Sequence, residues 1–109
     1  MKPVVPRDRA DQDVDEAIAY YAKGAPHVVD QLIDALEAAH NTISNAPKTG
    51  SPRYGTSLDI PGLRFKLVER FPYAIFYIEH TRYIDVIRVL HQQRDIPTLL
   101  LSESDNKVK

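Results

Sequence analysis

The chain reads as an α+β domain in which an N-terminal helical hairpin packs on an antiparallel β-sheet. Three observations predict this. In the first half, Ala10, Val14, Ala17, Ile18 and Tyr21 recur at the spacing of one α-helical face. A short break around Gly24 separates that segment from a second helical one, and a short connection sets neighbouring helices antiparallel. After residue 62 the apolar pattern changes to short alternating or continuous runs, which suit strands. Helices first and strands afterwards predict a helical layer on one face of a sheet.

Each element has its own signal. "KPVVP" (2–6) is short, extended and bounded by prolines, so it suits a brief edge strand. "RDRADQDVDEAIAYYAKG" (7–24) is the first helix. Its acidic residues crowd the N-terminal half, where the helix dipole favours them, and Gly24 supplies a stop. "APHVVDQLIDALEAAHNTISNAP" (25–47) is the second helix. Pro26 fits its first turn, and Val29, Leu32, Ile33, Leu36, Ala39 and Ile43 form its apolar stripe.

Residues 47–62 form a sixteen-residue loop with three prolines and three of the four glycines. Loops this long are uncommon in small domains and are often functional. In "LRFKLVE" (63–69), Leu63, Phe65 and Leu67 point one way, and Arg64, Lys66 and Val68 the other. "YAIFYIEH" (73–80) is apolar almost throughout, as a strand buried on both faces would be. "YIDVIRVLH" (83–91) places Ile84, Val86, Arg88 and Leu90 on one face and Asp85, Ile87, Val89 and His91 on the other. Residues 1–101 form a single domain in this reading, and 102–109 a polar, flexible tail.

The totals narrow the function classes. With 109 residues, 43% of them hydrophobic, the chain supports one modest core. It has no cysteine, which excludes disulfides, thiol catalysis and cysteine–zinc sites and fits a reducing cytoplasm. The charged first twenty residues lack the apolar centre of a signal peptide, and the longest interior apolar run, Ala74 to Ile78, is too short to span a bilayer. A net charge of −1 hides an asymmetry. Residues 7–46 carry three basic and eight acidic groups, and residues 47–94 eight basic and four acidic. That division suggests faces with different partners.

Most catalytic signatures are absent. The sequence has no H-E-x-x-H, G-x-S-x-G, P-loop or G-x-G-x-x-G. His27, His40, His80 and His91 show no zinc spacing, and no cofactor is implied. Asp11 and Asp15 suit a solvated helix face better than acid–base work.

One constellation remains. Arg64, Lys66, Arg88, His91 and Arg94 are predicted to lie on or near the sheet face left exposed by the hairpin. Metal-free RNA cleavage needs a proton acceptor, a cation for the pentavalent phosphate and a proton donor. Histidine suits the proton roles and arginine the phosphate. Each residue also has a structural role open to it. Arg88 shares a face with apolar residues and suits pairing with Asp or Glu. Arg94 and Asp95 suit a turn, and His91 a backbone hydrogen bond. A sequence pI near 6.4 lacks the positive excess expected of a protein that grips a long RNA.

The segment "GLRFKLVERFPYAIFYIEHTRYIDVIRVLHQQRD" (62–95) resembles the C-terminal half of the RelE/ParE toxin superfamily. The matching features are G-L-R at Gly62–Arg64, F-P-Y-A-I-F-Y at 71–77 and R-V-L-H-x-x-R-D at 88–95. "NAPKTGSPR" (45–53) resembles the family's P-x-x-G-x-x-R loop, and "DEAIAYYA" (15–22) its first helix. The resemblance spans residues 3–97 and implies the same helix-hairpin-on-sheet fold.

It also implies a cytoplasmic toxin of a type II toxin–antitoxin system, neutralised by a cognate antitoxin with a DNA-binding N-terminal part. RelE-like members cleave mRNA on the ribosome, and ParE-like members poison DNA gyrase without cleaving RNA. The 88–95 motif and the lack of any tyrosine after Tyr83 resemble the ParE side. On that reading the site is a binding surface, with Arg64, Lys66, Arg88 and Arg94 facing a partner. The alternatives are a RelE-like ribonuclease using Arg64, Lys66, Arg88, His91 and Arg94, or a non-toxic antitoxin-binding module.

Overall fold

The structure is a computed structural model that describes residues 1–108, with side chains described through residue 102. The segment read as a flexible tail, 102–109, therefore falls largely outside the described side chains. In chain order the elements are β1 (Val4–Pro6), α1 (Asp8–Gly24), α2 (Val29–Asn45), α3 (Arg53–Ser57), β2 (Leu63–Leu67), β3 (Tyr73–Glu79), β4 (Ile84–His91) and α4 (Ile96–Val108). A 3-10 turn at Pro26–Val28 joins α1 to α2, and a second at Pro47–Thr49 follows α2.

The four strands form one sheet in the order β1-β4-β3-β2. β2, β3 and β4 pair antiparallel, as the alternating pattern predicts, while β1 joins β4 in parallel. The parallel pairing follows from topology. The chain passes through three helices and two strands before returning beside β1, so no tight turn forces an antiparallel partner.

The sheet has an apolar core on each face. On one side α1 and α2 bury Ala10, Ala17, Leu32, Leu36, Ala39 and Ile43 against Ile75, Tyr77, Ile84, Val86 and Val89. On the other, Ile96 and Leu100 of α4 pack with Leu63, Ala74, Phe76, Ile87 and Leu90, flanked by Tyr54, Leu58 and Ile60. This double cover explains why β3 reads as a nearly continuous apolar run.

The second core corrects one sequence expectation. Arg64 and Lys66 are not on a face left open opposite the hairpin. They pair across β3 with Tyr77 and Ile75, which belong to the hairpin-side core. β2 is one of the two edge strands, so these two long side chains stay partly exposed at the margin of the covered face. The opposite face is closed by α3, its loop and α4, two helices the sequence pattern does not signal.

A β-bulge corrects a second expectation. The β3–β4 register shifts between Phe76 and Tyr77, which oppose Arg88 and Val86, leaving Ile87 as the extra residue. Strict alternation through β4 fails there. Val86 and Val89 share the hairpin-side core, while Ile87 and Leu90 share the other.

Candidate functional site

β1 ends at Pro6, opposite Val86. Past that point β4 has no strand on its outer side, and α1 supplies a substitute. The Asp13 carboxylate accepts the Val89 backbone N–H at 3.0 Å. It also accepts two hydrogen bonds from Arg88, from Nε at 2.7 Å and Nη2 at 2.9 Å. Both side chains are buried, at 4% and 5% exposure, so this is a desolvated bidentate pair. Arg9 is a third partner of the carboxylate, 3.1 Å away. Arg88 therefore locks α1 to the sheet and does not reach solvent. Of the two roles open to it in the sequence, the structure shows the ion pair.

Arg64 has a different structural task. Its Nη1 donates to the Gly50 carbonyl at 2.8 Å. Next to it, the Tyr77 hydroxyl donates to the Pro47 carbonyl at 2.6 Å. Burial raises the Tyr77 hydroxyl above its ordinary pKa of 10.0, which outweighs the lowering by the Arg64 guanidinium and keeps it a donor. A two-way backbone bridge between Ser51 and Phe65 completes the anchoring. Gly50 lies directly over the Tyr77 hydroxyl, where any side chain would overlap it. The long loop is thus pinned at three points, by residues of the P-x-x-G-x-x-R stretch and their partners on β2 and β3.

The remaining candidates lie apart from these. Lys66 projects beside Arg64 at the β2 edge. His91 ends β4, where its Nδ1 accepts the Gln93 N–H at 3.1 Å and its ring meets Tyr73 edge-on. Arg94 is exposed in the turn that follows. With β3 between β2 and β4, the Arg64 and Arg88 backbones are separated by roughly 9 Å or more. Arg88 is turned to Asp13 and Arg64 to Gly50, so the two guanidinium groups do not converge on one phosphate-sized position. The structure brings together Arg64 and Lys66, and leaves Arg88, His91 and Arg94 in three other settings.

Two residues with evident roles escaped the sequence reading. Asp13 lies on the apolar stripe of α1, three residues after Ala10 and four before Ala17. A carboxylate in that position signals a buried cation opposite it. Arg53 ends the loop motif, and its guanidinium stacks over Tyr54 and Phe65.

A further charged cluster ties the N-terminus to the β3–β4 hairpin. Lys2 Nζ donates to Glu79 Oε2 and to the His80 carbonyl, both at 2.7 Å. That hydrogen bond holds the Glu79 carboxyl below its ordinary pKa of 4.5. Arg7 donates twice to Asp85, at 3.0 and 2.9 Å. Among the described residues no group of three or more His, Asp or Glu side chains could hold a metal ion. None of the helices is long and apolar enough to cross a membrane, among the described residues.

Comparison with known proteins agrees with this fold. A solved structure described as the chromosomal ParDE TA system from P. aeruginosa superimposes with a TM-score of 0.70 at 17% identity, covering 84% of this chain and 96% of that one. No curated protein matches the sequence. Residues 4–96 match the family model of the ParE toxin of the type II toxin–antitoxin system, parDE. That match spans β1 through the start of α4, and the chain belongs to the ParE toxin family of type II toxin–antitoxin systems.

Proposed function

We propose that the chain is a growth-arresting toxin that acts by binding DNA gyrase, performs no cleavage of its own and is neutralised by a cognate antitoxin. The observation that carries the binding reading is the Asp13–Arg88 pair. A ribosome-dependent ribonuclease would need Arg64, Arg88 and His91 around one scissile phosphate. Arg88 is instead consumed in a buried ion pair, and Arg64 in holding the loop. Family membership supports the toxin role and a neighbouring antitoxin.

Arg64, Lys66 and Arg94 keep some exposure and support a landing surface for an acidic antitoxin tail. Arg88 belongs to the scaffold beneath. Charge reversal at Arg64 and Lys66 together is expected to weaken the antitoxin complex, and an unchanged affinity would move the landing surface elsewhere.

Pulse-labelling in cells minutes after induction of the chain alone tests the target. Thymidine incorporation is expected to fall before methionine incorporation. An early fall in translation would refute the gyrase reading and return attention to His91. Continued growth would leave a non-toxic binding module.

A further inference from the structure

The pinned loop does more than cross the sheet. It delivers Arg53 to the face opposite the helical hairpin. There the guanidinium carbon sits 4.9 Å from the Tyr54 ring centroid and 5.8 Å from that of Phe65. Those rings continue into the buried Phe76, with centroid spacings of 5.4 to 5.7 Å, so Arg53 lies on a partly buried aromatic cluster. Arg53 itself is exposed, and its guanidinium makes no hydrogen bond or ion pair among the described residues. Its donors are left to solvent, with the guanidinium stacked over the two rings.

A groove of about 280 Å³ opens beside it, lined by Phe65, Leu67, Phe76, Ile96 and Gln92 as well as Arg53. Leu67 is 50% exposed there, although it sits in a β-strand. No acidic residue lines the groove. We infer that this groove is a docking site for a protein segment that carries a carboxylate beside an apolar side chain, with Arg53 taking the carboxylate and Leu67 the apolar group.

Charge complementarity selects this occupant. A single, pre-oriented guanidinium matches one carboxylate bidentately. The groove offers no second cation, whereas a nucleic-acid strand needs several to neutralise successive phosphates. The Tyr54 and Phe65 faces toward Arg53 are already covered, which removes them as stacking surfaces for a base. Stacking also pre-organises the arginine, so little side-chain entropy is lost when the carboxylate arrives. The inference is independent of the gyrase assignment.

Panning a library of short random peptides against the purified full chain tests it. Enriched peptides are expected to carry Asp or Glu beside a Leu, Ile or Phe. Arg53→Glu is expected to weaken them by about ten-fold or more, the loss of one charge-assisted contact. Leu67→Lys is expected to act in the same direction, and Lys23→Glu, on α1, to leave affinity within about two-fold. Both groove residues are exposed, and unchanged thermal melts would show that the variants fold. Absence of any Arg53-dependent peptide would overturn the site. An oligonucleotide that binds with the same Arg53 dependence would overturn the occupant. Neither result bears on the pulse-labelling outcome, so the two proposals fail separately.

Discussion

Asp13→Asn is the sharpest test of the scaffold role assigned to Arg88. The substitution keeps the shape of the side chain and removes its charge. Wild-type Asp13 accepts two bonds from Arg88 and one from the Val89 N–H, in a setting where both partners are at most 5% exposed. Asparagine has one carbonyl oxygen, so it cannot replace both Arg88 contacts, and its amide group points donors at donors. Breaking a buried pair by removing one partner costs about 3–5 kcal/mol, because the other charge stays buried.

The lower end applies here. Asparagine retains one acceptor, and Arg88 has further interactions. At the entropy typical of unfolding, about 3 kcal/mol corresponds to a fall of about 13 °C in Tm for a domain of this length. Urea unfolding followed by circular dichroism measures it directly. Combining Asp13→Leu with Arg88→Met is expected to recover part of the loss, since a well-packed apolar pair replaces buried charges at little net cost. A loss below about 0.5 kcal/mol in Asp13→Asn would refute the argument. So would an Arg88→Lys variant as stable as the wild type that no longer arrests growth, because that would return Arg88 to a partner-contacting role.

Three other outcomes are expected. Tyr77→Phe removes the bond to the Pro47 carbonyl and should cost about 1–2 kcal/mol; Gly50→Ala, which displaces the hydroxyl, should cost at least as much, both read from denaturant midpoints. His40 has its pKa lowered from 6.5, chiefly by burial and against the pull of Asp11 and Glu37. The unfolded chain therefore binds this proton more readily, and stability should decline as pH falls below about 7 and toward the folded value; His40→Gln should flatten that part of the pH profile. Glu79 has its pKa lowered from 4.5 by Lys2, so its contribution is present above 4.5 and lost as pH falls through the folded value. Lys2→Ala should weaken that acid-side dependence in a pH series of thermal melts, leaving the smaller pull of Lys48 and Arg64.

The elements with long, regular patterns were legible in the sequence. The stripes of α1 and α2 and the apolar run of β3 each reflect burial against a whole layer. What was not legible depended on single contacts between distant residues. The bulge at Ile87 breaks an alternation that looks regular in one dimension, and with it the face assignments of β4. α3 has five residues, too few for any periodicity to show. α4 begins with Ile-Pro and continues into polar sequence, so its buried residues, Ile96 and Leu100, make too narrow a stripe to recognise. The five basic candidates were identifiable as a cluster along the sequence. Their dispersal in space was not, because it depends on Asp13 and on the Gly50 carbonyl.

The parallel pairing of β1 with β4 has a consequence for synthesis. Val4–Pro6 find their partners at Ile84–Val86, and Asp13 waits for Arg88, 75 residues further along. A nascent chain emerging N-terminus first can form its helices early, but its opening strand stays unpaired and its buried carboxylate unneutralised until nearly all of the domain has been made. Contacts this distant in sequence form late and together. A product terminated before Ile84 lacks both the strand that β1 pairs with and the floor shared by the two cores. The fold therefore acts as a check on completeness: a chain interrupted before Ile84 keeps the β2–β3 pairing at most and cannot assemble the four-stranded sheet.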